Sequence, residues 1–133
     1  MRPTAIHAVV AATAAAMMLT GCASDKPPVC DSLDAVRHSA DELRNANISE
    51  NGMSVVTSDL SQLKADLAQF ASDTKAQFQP QADGLRATVD QLQSSVEMAK
   101  AAPTAASLGA VRTAVTAVGD AARDLRDAVA GTC

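Results

Sequence analysis

Three cysteines and one histidine outside the N-terminal run are the side chains with the most capacity for chemistry. Cys22, Cys30 and Cys133 supply thiols that could form a disulfide or bind a metal, and His38 could act as a base or a ligand. A catalytic triad needs a histidine near its nucleophile. The helical periodicity described below places His38 on the solvent side of its helix. We therefore predict no catalytic residue in this chain.

The sequence also lacks the residue patterns that are typical of cofactor and nucleic-acid sites. Haem ligation in a helical bundle would need His38 to face a methionine, and neither Met53 nor Met98 is spaced to do so. The chain has no Cys-x-x-Cys-His, no Glu-x-x-His and no glycine-rich phosphate loop. Its only aromatic residues are Phe70 and Phe78, which is too few for a base-stacking surface. The net charge of −4 also argues against nucleic acid.

The N-terminal region has the form of an export signal. Arg2 precedes an apolar run over 8–19 that is interrupted only by Thr13, and the run ends at Leu19-Thr20-Gly21-Cys22. This run is shorter than the ~18 or more residues that a membrane-spanning helix needs. Leu19-Thr20-Gly21-Cys22 resembles the lipobox of bacterial lipoproteins. The alternative is an ordinary secretory signal in which Cys22 falls at this place by chance.

The lipobox resemblance implies how the chain is processed and where it lies. Residues 1–21 would be a signal peptide, removed as Cys22 gains a diacylglyceryl group and further acyl groups such as palmitate. At least two acyl chains give stable anchoring to membrane lipid. The expected location is the outer face of the bacterial cytoplasmic membrane, or the periplasm or outer membrane where the cell has one. The alanine- and valine-rich composition is similar to that of small actinobacterial lipoproteins.

The remaining cysteines form the second prediction that depends on this resemblance. If lipid occupies Cys22, then Cys30 and Cys133 are left in an oxidising compartment, where such a pair usually forms a disulfide. Two free thiols are the alternative. With Cys22 modified, two cysteines and His38 are too few ligands for a zinc site, so we predict no metal.

Apolar residues recur at three- and four-residue spacing in four segments, which predicts four amphipathic helices. No alternating run of strand length competes with this pattern. The four stripes are Val29, Leu33, Val36, Ala40 and Leu43; Met53, Val56, Leu60, Leu63, Leu67 and Phe70; Ala82, Leu85, Val89, Leu92, Val96 and Ala99; and Leu108, Val111, Val115, Val118, Ala122, Leu125 and Val129.

Helix-breaking residues separate the four stripes. The segment 45–52 contains Asn, Ser and Gly, while Pro80 and Pro103 mark the second and third connections. We predict helices over 31–46, 53–78, 81–101 and 104–130. The alternative at the second connection is that Pro80 only kinks one long helix.

The predicted fold is all-α: an antiparallel, up-down four-helix bundle over 30–133, behind the signal peptide of residues 1–21 and a lipidated tether over 22–29. An even number of helices brings Cys30 and Cys133 to the same end, in agreement with their pairing. Pro27 and Pro28 favour an extended tether. The heptad pattern leaves open whether the seams close within one chain or between chains.

Charged residues follow the same heptad pattern. Asp59, Asp66 and Asp73 repeat every seven residues beside the second stripe, either as a cation-binding row or as a solvated flank that sets helix pairing, and we favour the flank. Basic residues flank the stripes at the position after d, where long stems cover apolar surface. They are Arg37, Arg44, Lys64, Arg86, Lys100, Arg112 and Arg126.

These observations favour a non-enzymatic function. We predict a membrane-anchored, extracytoplasmic interaction or envelope-structural module whose protein or envelope partner is unidentified. The first helix is the shortest, so we expect an open seam at its far end where a partner docks. The alternative is a carrier that holds a small apolar ligand or lipid in a bundle cavity.

Overall fold

The structure, a computed structural model, describes residues 26–74 and 76–133. Four α-helices contain most of these residues. The helices are α1 (Pro28–Asn45), α2 (Met53–Thr74), α3 (Gln79–Ala101) and α4 (Ala105–Val129), and a short 3₁₀ turn, Glu50–Gly52, precedes α2. No strand occurs in the described ranges. The prediction of an all-α chain with four helices is confirmed.

Each helix packs on two others, and together they form a helical bundle. α1 contacts α2 and α4, and α3 likewise contacts both α2 and α4. The contacts are most extensive between α1 and α2 and between α3 and α4. Every residue of the four predicted stripes is buried except Leu108, which is partly buried and packs against the core. The core is therefore the one that the heptad spacing predicts, built from leucine, valine and alanine.

The first helix begins earlier than predicted. Pro28 is its first residue, and the extended backbone of Pro27 precedes it. Proline is well suited to this position because its missing N–H has no partner in the first turn and its φ is already helical. Burial of Val29 adds an apolar contact to the same turn. The prediction that residues through 29 form an extended tether is therefore wrong for Pro28 and Val29.

The second connection separates two helices. α2 ends at Thr74 rather than at residue 78, and α3 begins at Gln79 with Pro80 in its first turn. Phe78 lies in the turn and is buried, so its ring packs into the core from outside either helix. Proline fits the first turn of a helix, where its missing N–H has no partner, but it breaks or kinks a helix interior. The alternative of one long helix kinked at Pro80 is wrong.

The last helix begins with a capping box, one residue later than predicted. The Thr104 hydroxyl accepts a hydrogen bond from the Ser107 backbone N–H at 3.1 Å, and the Ser107 hydroxyl accepts one from the Thr104 N–H at 2.9 Å. These two bonds satisfy donors that lack partners within the helix. The capping box therefore fixes the point at which the short connection after Pro103 ends and α4 begins.

The loop between α1 and α2 partly fills the seam that was expected to be open. Ala46 and Ile48 are partly buried and pack against the core, and Arg112 donates a hydrogen bond to the Ile48 carbonyl at 2.9 Å. A Cβ on Gly52 would lie 1.8 Å from the Asn47 carbonyl oxygen, so glycine is required where the loop passes itself. The predicted docking seam at this end is therefore occupied by the chain's own loop.

Across residues 26–74 and 76–133, no helix combines the length and the apolar character needed to cross a bilayer.

Val55 and Val56 provide a matched test of the core. Val56 is fully buried, whereas Val55 is 52% exposed on the same turn of α2. We expect Val56→Ala to lower the free energy of unfolding by about 2 kcal/mol, from lost burial and a residual cavity. We expect Val55→Ala to change it by less than about 0.5 kcal/mol, because the lost methyl groups face water. Urea denaturation of both variants measures the difference, and equal losses would contradict this core.

Candidate functional site

The histidine and methionines considered as ligands do not form a site. His38 lies on the exposed face of α1, with Nε2 3.3 Å from an oxygen of Glu42 one turn along. Met53 is buried in the core, and Met98 is exposed on α3. Within the described ranges, no three His, Cys, Asp or Glu side chains are placed to hold one metal ion.

The aspartate row on α2 takes part in helix pairing. Asp59, Asp66 and Asp73 are all partly buried. Asp66 accepts a hydrogen bond from the hydroxyl of Ser39 on α1, and a second from the Gln62 amide at 3.0 Å. Ser39 is almost fully buried. A carboxylate thus joins α1 to α2 at the edge of the seam, which supports the flank interpretation over a cation-binding row.

The predicted disulfide is confirmed. Cys30 and Cys133 are bonded, with Cα atoms 5.6 Å apart and a sequence separation of 103. The backbone turns after α4, where the N–H groups of Thr132 and Cys133 bond the Val129 carbonyl at 2.8 and 3.2 Å. This turn brings Cys133 back to the start of α1. The proposed lipidation residue, Cys22, lies outside the described residues.

An ion cluster holds the segment before α1 against that helix. The Lys26 ammonium lies 2.7 Å from a carboxylate oxygen of Asp34 and 3.2 Å from one of Asp31. The hydrogen bond to Asp34 raises the pKa of Lys26 and lowers the pKa of Asp34. All three groups are exposed, so the contacts add little stability. They place Lys26, which is four residues after Cys22, beside Asp31 and Asp34 near the start of α1.

Five arginines line the groove between α1 and α4, which we call the arginine groove. α1 contributes Arg37 and Arg44, and α4 contributes Arg112, Arg123 and Arg126. The groove contains two clefts, a narrow one of about 110 Å³ and a wider one of about 490 Å³. Arg44 and Arg123 line both clefts and therefore stand at the middle of the groove.

Gly119 shapes the middle of the groove. A Cβ at this position would meet Cδ of Arg44 at 3.0 Å, so the aliphatic stem of Arg44 lies directly on the α4 backbone. Glycine is unfavourable inside a helix relative to alanine. Its presence here allows a guanidinium from α1 to cross onto α4.

Each guanidinium of the groove is only lightly engaged. Arg37 lies 3.7 Å from Asp34, and Arg44 lies 3.6 Å from Asp41, both beyond hydrogen-bond length. On α4, Arg123 contacts Asp120 at 2.6 Å, and Arg126 contacts the neighbouring carboxylate of Asp127 at 2.8 Å. These carboxylates are exposed, and exposed ion pairs typically contribute 0–1 kcal/mol. The short contacts engage one nitrogen of the Arg123 guanidinium and two of the Arg126 guanidinium, out of five N–H donors in each group.

Sequence reasoning found the arginines but not the groove. The heptad pattern placed Arg37, Arg44, Arg112 and Arg126 at flanking positions, without showing that α1 and α4 are neighbours. Arg123 was outside that pattern. The signal that could have indicated the groove is the series Arg112, Gly119 and Arg126, spaced seven residues apart. In this series a glycine stands where the other two positions carry a long side chain.

The interior of the described bundle is filled by side chains. Phe70, Leu43, Leu63, Leu85 and Leu92 are almost completely buried, with further leucines and valines beside them. Two depressions of about 490 and 530 Å³ are open surface clefts at the α1–α2 loop.

Comparisons of the chain with models of protein families, with curated proteins and with solved structures find no match.

The disulfide should carry much of the stability. We expect Cys133→Ser to lower the free energy of unfolding by about 2–5 kcal/mol, because the crosslink restricts the unfolded chain over a loop of about 100 residues. Urea denaturation under non-reducing conditions measures the loss. Reduction of the wild-type chain should reproduce it and should leave Cys133→Ser unchanged. A wild-type midpoint that is insensitive to reduction would contradict the prediction.

Proposed function

We propose that this chain is a lipid-anchored, extracytoplasmic and non-enzymatic interaction or envelope-structural module. The observation that carries the proposal is the pairing of the cysteines. Cys30 and Cys133 form a disulfide, and this leaves Cys22 as the unmatched cysteine, at the end of a lipobox-like motif. Disulfides persist in oxidising compartments, which agrees with export. This combination supports the proposed localisation and the proposed lipid at Cys22.

We further infer an antiparallel, up-down arrangement of the four helices. The connections are short, from Asn45 to Met53, from Thr74 to Gln79 and from Ala101 to Ala105, and short connections favour antiparallel neighbours. The contact between α1 and α4 and the disulfide agree with this order.

This arrangement gives the bundle an orientation. The Cys30–Cys133 disulfide and the turn at Phe78 would lie at one end, and the 46–52 loop and Pro103 at the other. The segment from Cys22 to Pro28 spans at most about 20 Å when extended. The disulfide end would therefore face the membrane, and the arginine groove would run outward from it along α1 and α4.

Two observations support a binding role without catalysis. His38 is exposed and contacts only Glu42 among the charged groups described, so nothing there resembles a nucleophile with its base. The buried core of leucine, valine and alanine, together with the openness of the two large clefts, favours the module over the alternative, a carrier of a small apolar ligand or lipid. Such a carrier needs an apolar pocket of about 300 Å³ or more that encloses its ligand.

Lipidation is tested at Cys22. We expect the wild-type chain to fractionate with membranes and to carry a mass increase from acyl groups on the peptide that begins at Cys22. Cys22→Ala should appear in the soluble exported fraction, because the anchor is lost. Cys133→Ser is the matched control and should stay with the membrane. Membrane association of Cys22→Ala equal to wild type would contradict the lipid anchor.

The interaction role is tested by crosslinking in living cells. We expect one envelope protein or wall component to be enriched with wild type and lost with Cys22→Ala, because anchoring places the bundle beside its partner. The same purified protein is extracted with organic solvent for mass spectrometry. A stoichiometric apolar ligand with no crosslinked partner would support the carrier instead.

A further inference from the structure

We propose that the arginine groove is a binding site for a phosphate group, carried by a soluble phosphate ester or by a lipid headgroup. This deepens the proposed function, on which it rests for the compartment in which the ligand is met. The argument depends on three properties of the groove: its charge, its guanidinium chemistry and its construction around Gly119.

The charge of the groove opposes that of the chain as a whole. The chain has a net charge of −4, yet five of its seven arginines line this one groove. Asp41 and Asp120 are the acidic residues that line it with them. The lining residues alone carry a charge of +3, and Asp34 and Asp127, which contact Arg37 and Arg126, reduce the local charge to +1. A positive groove in an acidic protein attracts anions that the rest of the surface repels.

The choice of arginine over lysine indicates the class of anion. All five basic residues of the groove are arginines, whereas Lys64 and Lys100 line a separate cleft between α2 and α3. The guanidinium group offers a planar fork that binds the oxygens of phosphate or carboxylate in pairs. The basic residues of the groove thus have the geometry of oxyanion recognition.

Competition with the existing carboxylates favours phosphate over a carboxylate ligand. Asp34, Asp41, Asp120 and Asp127 each already contact one arginine. A ligand with a single carboxylate would only replace one such contact by another. A phosphate monoester carries about −1.5 to −2 charges and three acceptor oxygens, so it can engage guanidinium groups from both helices at once.

The construction around Gly119 shows where the phosphate would bind. Because the stem of Arg44 lies on the backbone of α4, the guanidinium groups of Arg44 and Arg123 line the same narrow cleft, together with Arg37 and Arg126. That cleft has a volume of about 110 Å³, enough for one phosphate group. Four arginines from two helices therefore line a space of the correct size.

The test uses the exported chain with Cys22→Ser and its disulfide intact, so that the result does not depend on lipidation. Inorganic phosphate is titrated while the arginine Nε–Hε signals are followed by NMR. We expect saturable shifts at Arg37, Arg44, Arg123 and Arg126. Arg44→Gln/Arg123→Gln should weaken binding about tenfold or more, because charge-assisted hydrogen bonds are lost.

Two control variants separate a built site from diffuse charge. Lys64→Gln/Arg86→Gln removes the same two charges from the α2–α3 side and should change the affinity less than about twofold. Arg123→Lys keeps its charge but loses the fork, and should still weaken binding. Shifts without saturation, or equal weakening by both double variants, would overturn the proposal. Far-UV circular dichroism verifies that each variant is folded.

A vesicle experiment identifies the source of the phosphate. Sedimentation with phosphatidic acid vesicles, whose headgroup is a phosphate monoester, is compared with sedimentation with phosphatidylcholine vesicles, for the same Cys22→Ser chain. Binding to phosphatidic acid that is lost in Arg44→Gln/Arg123→Gln identifies a lipid headgroup. Saturable phosphate binding without vesicle binding identifies a soluble phosphate ester. Absence of both overturns the groove proposal and leaves the membrane anchoring of the Cys22 chain unaffected.

Discussion

Burial of four narrow apolar stripes against one another is the interaction on which the rest of this protein depends. A single helix of 18 to 25 residues is only marginally stable in water, so each helix here needs the others. With only two aromatic side chains available, the core depends on many small contacts between leucine, valine and alanine. Every surface feature is positioned by this packing, because it determines which helix faces lie side by side.

The arginine groove is the clearest consequence of that packing. Arg44 and Arg123 are far apart in the sequence, and they line the same cleft only because α4 packs on α1. Gly119 then permits a closer approach than a larger residue would allow. Gly119 is unfavourable inside a helix, and the arginines around it concentrate positive charge in one groove. Core packing alone requires neither feature.

The disulfide connects the packing to the proposed anchoring. Cys30 lies in the first turn of α1, only eight residues after Cys22, and it is bonded to Cys133 beyond α4. Force or thermal motion transmitted through a lipid anchor would therefore act on two helices together rather than pull α1 away from the bundle. The contacts of Lys26 with Asp31 and Asp34 lie at the same end of α1 as Cys30.

The sequence by itself determined the helical class and the core stripes, because each depends on a spacing of three, four or seven residues. It indicated the cysteine pairing only through the lipobox resemblance, which assigns Cys22 to lipid. It also located the helix ends to within a few residues. It missed the start of α1 at Pro28 and the end of α2 at Thr74, and the nearby Val29 and Phe78 are buried in the core. Only the tertiary structure decided that the 46–52 loop covers the end of α1, that Ser39 bonds Asp66, and that the arginines share one groove. These features join residues from different helices, and heptad spacing reports which face of a helix is buried but not which helix buries it.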